Sequence, residues 1–252
     1  MDLYRKKSIS SFKGSDKRTV DDNIAVESQL RIRINGSDLL SIYCSPSMIR
    51  ELVTGLLLSE QIIEGRLCID RMSIEYNEEI VVDIPAEGEI TDKGAIRTSG
   101  CVGGISYEKS GTLGHADYKG TLKPDELIEL YKMFQGTSET YRLTGCVHNA
   151  AIADRSSVVI HSEDIGRHNA VDKVIGYCLL EKISLDDKIM LVSGRLSSEM
   201  VYKCAFWKIP FVVSRTAPTL KAIEIADASG ITLIGFLREK RFNIYSGAER
   251  IL

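Results

Sequence analysis

The chain has no closely spaced cysteine pair, no long apolar run and no marked excess of either charge. Its six cysteines, Cys44, Cys68, Cys101, Cys146, Cys178 and Cys204, are scattered, and none forms a C-x-x-C. Zinc-ribbon and thioredoxin-like readings lose their main support with it. No apolar stretch approaches the length that spans a bilayer, so no membrane span is expected. The first 22 residues are polar, and no apolar core follows Arg5-Lys6-Lys7. A secretory signal is therefore not expected, and a reduced, cytoplasmic setting is the simplest reading of scattered thiols. A net charge of −3 argues against a general nucleic-acid binder, while leaving room for a local basic pocket.

What is present is ordinary globular composition, 44% hydrophobic and 27% charged over 252 residues, enough for one large domain or two smaller ones. Residues 1–22 read as a flexible tail. Residues 23–120 read as a small α+β domain. In it Ile24 to Ile34 alternate as a strand, Asn35-Gly36 turns, and Leu39–Cys44 returns. A helix with Ile49, Leu52, Val53, Leu56 and Leu57 on one face follows, with Gly65 as its expected stop. Residues 121–252 read as an α/β domain. There, strands alternate with helices, and the continuous run Ile189-Met190-Leu191-Val192 suits a strand buried on both faces. That alternation argues for a parallel sheet between helical layers.

Two kinds of site carry chemistry. Cys101 sits in Arg97-Thr98-Ser99-Gly100-Cys101-Val102-Gly103-Gly104, where glycines favour a mobile, poorly shielded loop. Such a thiol can be carried to a partner, or it can be incidental, since exposure and thiolate character decide reactivity. The second kind is the strand-to-helix junction, where open α/β sheets gather ligands. Three stand out: Glu163 to Asn169 with Arg167 and His168, followed by Asp172 and Lys173; Ser193-Gly194-Arg195; and Ser214-Arg215-Thr216-Ala217-Pro218-Thr219. Capping explains any one of them. Together, each with an arginine, they favour an anionic ligand. A fourth polar run, Phe236-Leu237-Arg238-Glu239-Lys240-Arg241, suits either a solvated turn or contact with a nucleotide. His148 reads as structural, and His168 is the better candidate for proton handling.

Several strings together resemble one family: Leu56-Leu57-Leu58-Ser59-Glu60, Thr98-Ser99-Gly100-Cys101, Glu163-Asp164-Ile165-Gly166-Arg167-His168-Asn169-Ala170-Val171-Asp172-Lys173, Ser193-Gly194-Arg195, Thr216-Ala217-Pro218-Thr219 and Gly235-Phe236. They are similar to the FdhD family, sulfur carriers needed for formate dehydrogenase activity. The resemblance implies a cytidine-deaminase-like three-layer α/β/α sandwich beside the smaller N-terminal α+β domain, and a homodimer. It implies that Cys101 accepts sulfur from a cysteine desulfurase as a persulfide. The sulfur then passes to the molybdenum (or tungsten) bis-pterin guanine dinucleotide cofactor before insertion into formate dehydrogenase. No permanently bound metal is expected. The family's cofactor-contacting stretch matches Phe236 to Arg241.

This chain departs from the usual loop pattern, because Gly104 stands where most relatives have a second cysteine. Cys146, at a position usually glycine in relatives, is a candidate substitute. A cofactor-binding chaperone without sulfur transfer is the alternative. A zinc nucleobase deaminase would need a His-x-Glu, where the chain reads His148-Asn149-Ala150, and a paired-cysteine motif that is missing.

Overall fold

The structure is a computed structural model that describes residues 1–90, 95–97, 105–107 and 113–252; residues 63, 64, 89, 90, 95–97 and 105–107 are described by backbone alone. Cys101 and its loop lie outside the described residues. No helix among the described residues is long and apolar enough to cross a membrane.

Where a frayed tail was expected, the chain opens with an antiparallel hairpin of β1 (Tyr4–Lys13) and β2 (Asp16–Ala25). Its cross-strand partners explain it: Ile9 faces Val20, Lys7 faces Asp22 and Lys13 faces Asp16, each an attractive pair. Next, β3 (Ser28–Ile34) and β4 (Ser37–Cys44) are joined at Asn35 and Gly36, both with positive φ, as a two-residue hairpin requires. Helix α1 (Ile49–Ser59) buries Leu52, Val53, Leu56 and Leu57 against this sheet. The helix stops earlier than Gly65, which instead lies in β5 (Ile63–Leu67); the left-handed residue after the helix is Gln61. Strands β6 (Ser73–Tyr76) and β7 (Ile80–Ile84) complete a four-stranded sheet ordered β4-β3-β7-β6, with β3 and β7 parallel. Strand β8 (Ala86–Ile90) pairs with β5, and β9 (Ala95–Arg97) pairs with β10 (Ile105–Tyr107).

Helix α2 (Pro124–Gly136) and the short α3 (Glu139–Thr144) lead into the second unit. Strands β11 (His148–Ala153) and β12 (Val158–Asp164) precede α4 (Arg167–Leu180), β13 (Ile189–Val192), α5 (Ser198–Phe206), β14 (Phe211–Ser214), α6 (Leu220–Ala228), β15 (Thr232–Arg238) and β16 (Arg241–Ser246). The sheet order is β12-β11-β13-β14-β15-β16. Within this sheet β13, β14 and β15 run parallel while the pairings of β11 with β12 and β13 and of β15 with β16 are antiparallel, so the expected parallel sheet is a mixed one. The turns after β11 and β15 are too short for a crossover, so those connections must be hairpins.

Alternation along each strand feeds two cores. One face, through Ile152, Met190, Val212 and Leu233, packs under α4, α5 and α6. The other, through Ala151, Leu191, Val213 and Ile234, packs under Leu127, Leu130, Tyr131 and Phe134 of α2.

The two units meet where α1 crosses α4. A methyl group at Gly55 would collide with the Asp172 carbonyl oxygen, and one at Gly176 with that of Glu51, so the helices touch backbone to backbone. Buried ions flank the crossing. Lys203 Nζ lies 2.7 Å from both Asp172 oxygens and 3.2 Å from Glu60 Oε1. Burial alone would lower the Lys203 pKa, but Asp172 and Glu60 hold it above its ordinary value. Lys173 Nζ lies 2.6 Å from Asp164 Oδ2 and donates to the carbonyls of Ser45 and Glu163. Asp164 Oδ2 also accepts from the Ser45 backbone N–H at 3.0 Å. Asp172 and Lys173, placed by their sequence at an anion-holding junction, are thus buried in internal pairs: α4 turns their side chains toward the first unit.

Candidate functional site

Strands β13 and β14 end side by side, with Val192 opposite Ser214. The loops that leave them run alongside each other, joined by a parallel bridge from Leu196 to Pro218, before entering α5 and α6. Hydroxyls stitch these loops together. Ser214 Oγ and Thr216 Oγ1 both donate to the Gly194 carbonyl at 2.7 Å. Tyr131 reaches across from α2; its hydroxyl donates to the Val192 carbonyl at 2.9 Å and accepts from the Arg215 N–H at 3.0 Å. Above the strand ends lies a cavity of about 490 Å³, the place where parallel strands leave room for a ligand. Its walls come from α2 and α3 (Tyr131, Phe134, Gln135, Ser138, Tyr141), from the Gly145–Asn149 segment, and from Ser193, Arg215 and Thr216.

Glu163 builds one wall. Its carboxylate accepts from Ser138 Oγ at 2.7 Å, from Thr140 N at 2.8 Å and from Tyr141 N at 2.9 Å. A negative charge on free N–H groups at a helix start is stabilising, and it fixes α3 beside the cavity. Gly145, with φ 67°, ends α3 and turns the chain so that Cys146 is exposed on the wall.

The residues expected at the site are gathered only in part. Ser193 and Thr216 line the cavity. Arg167 is 7% exposed and lies against Gly194, where an added methyl would sit 3.3 Å from its Cβ and Cδ and 3.4 Å from His148 Nδ1. His168 Nε2 is 3.3 Å from Glu199 Oε2 and 3.5 Å from Ser197 Oγ. Burial lowers the His148 pKa, helped by the positive charge of Arg167 and by His168 and Arg195, against Asp164. His148, read from sequence as structural, is therefore a cavity-wall imidazole that is neutral at pH 7. Arg195 itself is exposed.

The run from Phe236 to Arg241 divides. Phe236 is exposed with φ 53°, and its N–H donates to the Thr216 carbonyl at 3.1 Å. A bulge between Gly235 and Arg238 sets that conformation, which is uncommon for an aromatic residue. Leu237 is 3% exposed and belongs to the core under α2. Strand alternation turns its side chain away from the surface. Arg238, Glu239, Lys240 and Arg241 border a separate depression of about 440 Å³ that shares no residue with the strand-end cavity.

The described thiols differ sharply. Burial pushes Cys44 and Cys204 up to about 12 and Cys178 up to about 11, which keeps them protonated and unreactive. Cys68 is half-buried. Cys146 alone among the described cysteines is exposed and lines the cavity. Sequence reasoning missed Tyr131, Phe134 and Tyr141; only a helix over 139–144 would have pointed to the last, and six residues are too few for a periodic signal.

The family model described as FdhD/NarQ family matches residues 25–252. The chain belongs to that family. Curated relatives in it carry the name sulfur carrier protein FdhD. The one from Bacillus subtilis (strain 168) is 37% identical over 239 residues, covering 92% of this chain and 91% of its own length. Those from Geobacillus kaustophilus (strain HTA426) and Listeria monocytogenes serotype 4b (strain F2365) are 35% and 33% identical, covering 98% and 100% of the chain and 97% and 100% of their own. A crystal structure assigned as a formate dehydrogenase accessory protein, from Desulfotalea psychrophila, superposes with a TM-score of 0.82 at 26% identity over the whole of both chains.

Proposed function

We propose that the protein is a cytoplasmic sulfur carrier for formate dehydrogenase maturation, acting as a sulfurtransferase. Cys101 accepts sulfur from a cysteine desulfurase as a persulfide and passes it to the molybdenum (or tungsten) bis-pterin guanine dinucleotide. The cofactor is cargo here, the substrate of the transfer. The observation that carries this reading is the cavity over the ends of β13 and β14, lined by Ser193, Arg215 and Thr216. Family membership and the relatives' name, sulfur carrier protein, support the sulfur-carrying role. Arginine suits a diphosphate because its planar fork gives two parallel hydrogen bonds. Tyr131 holds the Arg215 backbone, so the guanidinium is presented from a fixed point. Phe236, tied to Thr216, offers an aromatic face beside the same loops, and stacking on a guanine or pterin ring is what such a face favours.

The chemistry at sulfur is nucleophilic. A desulfurase persulfide is attacked at its outer sulfur by the Cys101 thiolate, its S–S bond breaks, and a new one forms on Cys101. No oxidant is consumed. Mass mapping of the protein after incubation with a cysteine desulfurase and labelled cysteine tests this. Sulfur on Cys101, and failure of Cys101→Ala to support formate dehydrogenase activity, is the expected result. A Cys101→Ala protein that still activates the enzyme and binds guanosine diphosphate would make the protein a cofactor chaperone without sulfur chemistry.

A further inference from the structure

Among the described residues β1 and β2 pair only with each other, as a two-stranded ribbon. Of the ribbon, Ala25 alone falls within the family-model match. β2 packs against α3, yet every residue from Asp16 to Asp22 is exposed. Two strands by themselves are marginal in water, and further strands are what such a ribbon needs. Its two edges are unlike. β1 carries Arg5, Lys6, Lys7 and Lys13 and no acid, whereas β2 carries Lys17 and Arg18 in its first half and Asp21 and Asp22 in its second.

We propose that β2 is a dimerisation edge, pairing antiparallel with β2 of a second copy of this chain about a two-fold axis through Val20. Such an axis, perpendicular to the sheet, reverses the direction of the copy and keeps its faces. Facing residues must point to the same side, so the axis passes through a residue and never between two. Charge then selects the residue, since like charges directly opposite destabilise a strand pair and opposite charges stabilise it. Centring on Asp16, Lys17, Arg18, Asp21 or Asp22 sets a charge against its own copy. Centring on Thr19 sets Asp16 against Asp22 at both ends, and centring beyond Asp22 pairs only the root of the strand. Centring on Val20 sets Arg18 against Asp22 at both ends, Lys17 against Asn23 and Thr19 against Asp21, with no like charges opposed.

The same register builds continuous rows across four strands. Ile9 faces Val20 within each chain, so Ile9 and Val20 of one chain meet Val20 and Ile9 of the other in a row of β-branched side chains. Lys7 faces Asp22 within each chain, so each Asp22 lies between Lys7 of its own chain and Arg18 of the copy. Two β1 edges, both basic, repel each other. A β1 edge on β2 of the copy would be a head-to-tail contact that need not close. Pairing through β2 closes the assembly and leaves β1 outermost, where its lysines discourage further strand addition. The inference is independent of the sulfur chemistry proposed above.

Sedimentation velocity on the full-length protein tests it, and the wild type should form dimers. Arg18 faces Ser11 in its own chain, so Arg18→Asp disturbs no charge pair within the ribbon while opposing carboxylates at both ends of the contact. Its dissociation constant should rise about tenfold. Asp22→Arg, which opposes guanidinium groups instead, should do the same. An equimolar mixture of the two variants should regain wild-type affinity, because each then meets its complement at both ends. In Val20→Cys, a short bismaleimide should link residue 20 to residue 20 of the copy, read by peptide mapping. A monomeric wild type overturns the inference, and so does a dimer no weaker in Arg18→Asp, which places the contact on another surface. A mixture no tighter than its components, with circular dichroism matching the wild type, overturns the charge register. Dimers of Val20→Cys without the 20-to-20 link overturn it as well, however the charge variants fold.

Discussion

The stretch from Glu163 to Lys173 and the loops after β13 and β14 make an instructive contrast. The first is the longest family string in the chain, yet most of its side chains hold the fold. Glu163 anchors α3, Asp164 and Lys173 tie α4 to Ser45, and Asp172 pairs with Lys203. The second is plain in sequence, small residues with one arginine in each loop, yet its Ser193, Arg215 and Thr216 line the cavity. Specificity of pattern here tracks the number of simultaneous partners a side chain must satisfy rather than nearness to the ligand. A buried charge tolerates few substitutes, because each partner it loses leaves an uncompensated group.

The largest effect should come from breaking the first region. Lys203→Met leaves Asp172 and Glu60 buried without their cation, a change that costs about 3–5 kcal/mol; urea denaturation should show the midpoint falling, with ligand-site residues untouched. Tyr131→Phe, at the second region, removes one hydroxyl with two partners and should cost about 1 kcal/mol. Its sharper signature is weaker guanosine diphosphate binding by calorimetry, since Arg215 loses its tether. Equal binding in the two proteins would mean the stitch is purely structural. The smallest effect separates the regions by pH. His148 titrates below its ordinary 6.5 when folded. Folding therefore favours the neutral ring: the contribution is complete above about pH 6.5 and is withdrawn as pH falls through the folded value. Thermal stability scanned downward from pH 7.5 should drop less steeply in His148→Gln than in the wild type.

Much of the second unit was legible because its strands announce themselves. Ile189 to Val192 is apolar at every position and buried at every position. The Asn35-Gly36 turn was legible for a different reason, since few other residues adopt its backbone. The opening hairpin was not: nearly every residue in it is exposed, so no apolar face marks it, and its order comes from pairing across the ladder. The strands either side of the turn Asp154-Arg155-Ser156 were legible as well, but that β11 also pairs antiparallel with β13 was not, because periodicity does not report which strands become neighbours in the sheet. At the site, Ser193 and Thr216 followed from the rule for strand ends, whereas the inward turn of Leu237 was masked by its run of polar neighbours. The α2 and α3 side chains in the cavity wall were invisible, since Glu163, far along the chain, is what puts α3 there.

The glycine-on-glycine crossing of α1 and α4 has one more consequence. With no side chain between the backbones, the seam has no rotamers to rearrange and no slack to slide on, so it behaves as a weld between the units. Any motion that the proposed cargo requires would then fall to the loops at the strand ends, and Gly176→Ala would be felt as a fracture of the joint.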